Sequence, residues 1–159
     1  MTYDQLTNRE YAYFHIRGSG RHELITKAIG VEPQDAYSDT DLNPKNGKPF
    51  GVTKWRLNSG LDDTEPLERH IDTLLIWLNR FPGVIKQLSD EYELTIQCVG
   101  YYPGSNHGAH FNRESLKVLG KLGIALDLDF YFVDDHGHTN EFGLSGMLIC
   151  TPVEFLGGT

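Results

Sequence analysis

IALDLDFYFV, Ile124 to Val133, alternates without a break. Ile124, Leu126, Leu128, Phe130 and Phe132 take one side, and Asp127, Asp129 and Tyr131 take the other. Successive side chains of a strand point to opposite faces, so a sustained period of two predicts a strand with one face in a core and one outside it. A sheet of such strands needs helices on its apolar side only. The fold therefore turns on whether the rest of the chain supplies strands and helices of the same one-sided kind.

It does. Upstream, ELTIQCVGYY (Glu93 to Tyr102) sends Leu94, Ile96 and Cys98 inward and Thr95, Gln97, Val99 and Tyr101 outward. VTKWRLN (Val52 to Asn58) sets Trp55 and Leu57 against Lys54, Arg56 and Asn58. YAYFHIR (Tyr11 to Arg17) sets Ala12, Phe14 and Ile16 against Tyr11, Tyr13, His15 and Arg17. Between these strands the apolar period lengthens to that of a helix. Leu24, Ile25, Ala28 and Ile29 form a short stripe closed by Gly30, which takes a left-handed conformation at little cost. The longest helix opens at GLDDTEPLERH, with Asp62 or Asp63 as cap, Glu65 at the positive helix end and Pro66 where only a helix start tolerates it. Its stripe is Leu67, Ile71, Leu74, Leu75 and Leu78, each contributing about 1.5–3 kcal/mol when fully buried. Pro82-Gly83 interrupts it, and Val84, Ile85 and Leu88 predict a second short segment. Leu116, Leu119 and Leu122 predict another helix, closed by Gly123.

The order is strand, helix, strand, long helix, strand, helix, strand. It implies an α+β two-layer sandwich: four to five strands in one mixed or antiparallel sheet, with helices on one face. The order is ferredoxin-like, with an extra long helix between the halves. Residues 32–51, rich in Pro, Asp, Asn and Gly, read as a long mobile loop. The 159 residues fit a single domain able to bury its own core, with 134–159 as a C-terminal extension in which Met147 to Cys150 forms an edge strand.

Composition narrows the function. The chain carries 22 acids against 14 bases, a net charge of −8. Such a protein repels a nucleic acid duplex or an anionic membrane and attracts a basic protein. No apolar run is long enough to span a membrane, and MTYDQLTNRE lacks the features of a signal peptide. Cys98 and Cys150 have no metal-type spacing, so a reduced cytoplasmic setting is expected.

Histidines form the first candidate site. His107 and His110 stand three apart in VGYYPGSNHGAHFN (Val99 to Asn112). Two ligands fall short of the three or four that zinc takes, and the glycines make the stretch a loop with Asn112 as a helix cap. His136 and His138, beside Asp134 and Asp135, read as a solvated turn. No nucleophile elbow and no phosphate loop occurs. The GSG at Gly18 to Gly20 offers a weak anion site at a helix start. The second candidate is the outward sheet face, with Tyr11, Tyr13, Tyr101, Tyr131, Asp127 and Asp129. Tyrosine gives a large contact area with a polar handle, and so anchors protein interfaces. The plainer expectation is cross-strand pairing of Asp127 or Asp129 with Arg17, Lys54 or Arg56.

YAYFHIRG, KWRLNSGLDDTEPLERHI, YELTIQCVGYY and LDLDFYF together resemble the bacterial family of domain of unknown function 4279, over Tyr11 to Val133. The most specific pieces are Trp55 with the Ser59-Gly60-Leu61 turn and the closing Leu126 to Phe132 strand. The resemblance implies a small bacterial α+β domain and carries over no catalytic residue.

The function expected is that of a non-catalytic, cytoplasmic, protein-binding domain, in its sharpest form an immunity protein that neutralises a basic toxin. No cofactor is expected, and the chain should be a monomer or weak dimer. Asp127, Asp129, Tyr101 and Tyr131 are the expected contacts, with Asp39 and Asp41 of the acidic loop second. The alternative is a small-molecule or metal-binding domain, or a hydrolase-like enzyme, using His107 and His110 with His15.

Overall fold

The computed structural model describes residues 7–104, 106–133 and 139–140. The elements run β1 (Arg9–Gly18), α1 (His22–Ile29), β2 (Asp35–Tyr37), β3 (Thr53–Asn58), α2 (Leu67–Leu78), α3 (Pro82–Glu91), β4 (Glu93–Pro103), α4 (Arg113–Leu122), β5 (Ala125–Val133) and β6 (Thr139–Asn140). They form an α+β sandwich around one open mixed sheet of order β2-β3-β1-β4-β5-β6. Every neighbouring pair is antiparallel except β4 and β5. Parallel neighbours need a crossover, and α4 supplies it. The two strand–helix–strand halves thus share their order and differ in pairing: β1 and β3 run antiparallel, β4 and β5 parallel.

The alternation places the core as expected. Phe14 and Ile16 of β1, Trp55 of β3, and Leu94, Ile96 and Cys98 of β4 are buried against Ile25 and Ile29 of α1, Ile71, Leu74 and Leu78 of α2, Ile85 of α3, and Leu119 and Leu122 of α4. The Trp55 indole N–H donates to Thr26 Oγ1 at 3.1 Å, which removes the cost of burying it. Gly30 and Gly123 close α1 and α4 in the left-handed conformation. Asn112 caps α4, its side chain accepting from Ser115 N at 2.9 Å.

Segment 32–51 is more ordered than its composition predicts. β2 pairs with β3, Asp35 opposite Arg56, and Leu42 bridges Pro49. Tyr37 stacks on Phe50 with 3.8 Å between ring centroids. A strand of three residues is too short to display a period, so the sequence pattern hides it. The opening of α2 also differs. Asp62 closes a local turn with Thr64, and Asp63 pairs with Arg9, so neither caps the helix. The free amide of Leu67 is satisfied by Glu10, a side chain from β1. The extension beyond residue 140, with Met147 to Cys150, lies outside the described residues.

Candidate functional site

The open face of the sheet is built by register. Tyr13 faces Gln97, which faces Asp127; Tyr11 faces Val99, which faces Asp129; Tyr101 faces Tyr131. Tyr101 and Tyr131 stack at 5.0 Å with planes 15° apart. Arg56 lies over the Tyr13 ring at 5.1 Å, and His15 meets that ring edge-on at 5.7 Å. Thr95, Gln97 and Val99, although on the open face, are buried. They form the central row between β1 and β5, so the exposed groups of the face come from the flanking strands.

Charge on this face is separated. Lys54 pairs with Asp35 at 3.3 Å on the β2–β3 side. Asp127 and Asp129 lie on β5, separated from Lys54 and Arg56 of β3 by two strands and from Arg17 of β1 by β4, and among the described residues the expected pairing with Arg17, Lys54 or Arg56 does not form. Gln97 Nε2 donates to Asp129 Oδ2 at 2.9 Å. Among the described residues neither aspartate has a cation within ion-pair distance, and both are exposed. His15 is held below its ordinary pKa by burial, then by Arg17 and Lys54.

The structure brings Asp127, Asp129, Tyr101 and Tyr131 onto one surface and places Asp39 and Asp41 elsewhere. Asp39 Oδ2 accepts from Gly20 N at 2.9 Å, so the anion at the start of α1 is the protein's own carboxylate. Asp41 Oδ2 accepts from Ser38 N at 2.7 Å. Both hold the loop together.

His107 belongs to a cluster the sequence reading missed, on the helix side of the sheet. Glu10 is buried, and both its oxygens are engaged. Tyr102 Oη donates to Oε1 at 2.6 Å, and Leu67 N donates to Oε2 at 3.0 Å. His107 Nε2 stands 3.4 Å from Oε1, and the His107 ring stacks on Tyr102 at 3.5 Å. Burial, then the bond to Glu10, raises the Tyr102 pKa, which keeps it a neutral donor. This constellation fastens the loop before α4 to β1 and to the start of α2. His110 is exposed, with its backbone N–H 3.5 Å from Glu68 Oε1. His15, on the other face of β1, is not brought to either. Among the described residues no group of three or more His, Cys, Asp or Glu is arranged to hold a metal; His136 and His138 lie outside them.

Other polar groups went unread. His70 is wholly buried in the α2 stripe, its Nδ1 2.6 Å from Ser59 Oγ and its Nε2 without a partner among the described residues. Glu10 precedes the alternating YAYFHIR run in sequence, and only continuing that alternation one step back would have turned it inward. Cys98 is a fully buried core thiol, its pKa pushed up to about 12 by burial.

Among the described residues no helix is long and apolar enough to cross a membrane. A family model described as "Domain of unknown function (DUF4279)" matches residues 7–133. No curated protein and no solved structure matches the chain.

Proposed function

The chain belongs to the DUF4279 family, a domain of unknown function, and from that premise we propose that it is a non-catalytic domain that binds a basic protein through its open sheet face. The observation that carries this is the pair Asp127 and Asp129: exposed, on a tyrosine-lined surface, and without a described cation. Desolvating such carboxylates against basic side chains of a partner gives charge-assisted bonds that water otherwise supplies. The tyrosines Tyr11, Tyr13, Tyr101 and Tyr131 offer contact area at low cost in side-chain entropy. A net charge of −8 raises the rate of encounter with a basic partner. In its sharpest form this is a cytoplasmic immunity protein acting on a basic toxin.

The test is capture of partners by the tagged full chain, at low and at high salt, beside an Asp127→Lys/Asp129→Lys variant with an unchanged circular dichroism spectrum. One basic protein held at low salt, and held about ten-fold less by the variant, is the expected result. Undiminished capture by the variant would assign binding to another surface.

A further inference from the structure

The half of the open face away from β5 carries the opposite charge. His15 of β1 lies directly across from Arg56 of β3, and Arg17 lies across from Lys54. All four belong to the outward rows, so they form a block of basic side chains on neighbouring strands. Like charges facing each other across a strand pair repel, as those of Arg17 and Lys54 do here. Among the described residues, Asp35 is the one carboxylate within ion-pair distance of any of the four, at 3.3 Å from Lys54. Arg56 lies over the Tyr13 ring, yet its Nε is buried with no hydrogen-bond partner among the described residues, and the same holds for His15 Nε2. Buried polar atoms without partners are costly and call for a physical reason. Strand pairing sets the block beside Glu93 and Thr95 of β4, at the end of the sheet opposite to Tyr101 and Tyr131.

We propose that this block is a second site, separate from the acidic half of the face, and that it binds the phosphate group of a small molecule between His15, Arg17 and Lys54, with Arg56 on the Tyr13 side. A doubly charged oxyanion offsets the repulsion between Arg17 and Lys54 and supplies acceptors that match guanidinium donors. It also gives protonated His15 Nε2 an acceptor. Without a ligand, His15 is depressed first by burial and then by Arg17 and Lys54, while Asp127 and Glu93 act more weakly in the other direction. A bound dianion favours the charged imidazole and so raises that pKa. The net charge of −8 opposes a polyanion, so a small phosphorylated molecule fits the block better than a nucleic acid.

The experiment titrates the full chain with inorganic phosphate and with phenyl phosphate at constant ionic strength. Imidazole resonances are followed by NMR, that of His15 being assigned by its loss in His15→Gln. The expected result is a saturating shift of the His15 resonance, with its pKa raised at saturation. Arg17→Gln/Lys54→Gln, with an unchanged circular dichroism spectrum, should bind about ten-fold more weakly. Tighter binding of phenyl phosphate supports a phosphorylated molecule with a ring against Tyr13, and equal binding supports recognition of the phosphate group alone. A shift that does not saturate, or that chloride reproduces, overturns the proposal, since charge screening then accounts for it. Undiminished binding by the double variant also overturns it, because the phosphate then sits elsewhere.

Discussion

A histidine carried into a core by a helix stripe has to be neutral there, and His70 shows the consequence. Burial holds its pKa below the ordinary 6.5, and His15 is depressed for the same leading reason. Between the ordinary value and the depressed one, the unfolded chain takes up a proton that the folded chain refuses. Stability then rises with pH through that window and is lost as pH falls through it. Thermal unfolding followed between about pH 7.5 and 5.5 should show a falling midpoint. His70→Gln, which cannot titrate, should flatten that fall while lowering the midpoint at the upper end, where the bond to Ser59 is disturbed. Parallel curves for the two proteins would show that His70 does not set the slope. Neither His70 nor Glu10 was legible in the sequence as a buried polar group: each occupies an apolar position of its element, and only the partners Ser59, Tyr102 and Leu67, brought from other elements, make burial tolerable.

At the scale of elements, β1, β4 and α2 are joined at one point, and a glycine makes the join possible. Glu10 sits opposite Gly100 in the β1–β4 register. Tyr102, two residues on and on the same face, folds its ring back across Gly100 to reach that carboxylate, which also closes the start of α2. A Cβ on Gly100 would overlap the Tyr102 ring and hydroxyl, so any other residue has to push the ring off Glu10. Gly100→Ala should destabilise the protein by about 1–3 kcal/mol, from overpacking together with the loss of a donor to a buried carboxylate. Urea unfolding measures it, and a cost under about 0.5 kcal/mol would show that the ring relaxes without leaving Glu10. The strands and helices themselves were legible, since their apolar faces follow periods of two and 3.6, and Asn112 announced the start of α4. β2 was not, having only three residues, and the cap of α2 was not, because it comes from a strand more than fifty residues away in the chain.

Over the whole molecule, the order of elements was readable and the order of strands was not. Alternation tells each strand which side is inward, but nothing in Thr53 to Asn58 or Ala125 to Val133 says which strand lies beside it. The outcome decides where charge goes: β3 with Lys54 and Arg56 ends up on one flank, and β5 with Asp127 and Asp129 on the other. The acidic flank has a second effect besides attracting basic partners, because it keeps copies of the chain apart. Two copies meeting at their open sheet faces would bury more of Tyr11, Tyr13 and Tyr101, a gain of about 25 cal/mol for each Å² of apolar surface removed from water. Against it stands repulsion between the exposed carboxylates of Asp127 and Asp129. Asp127→Asn/Asp129→Asn removes the repulsion and leaves shape and the tyrosines intact. The full chain should sediment as a monomer at low salt, while this variant should associate at micromolar concentration. Self-association of the unsubstituted chain at low salt would mean that the aspartates do not guard the face, and monomeric behaviour of the variant would mean that the tyrosines alone are too few to join two copies.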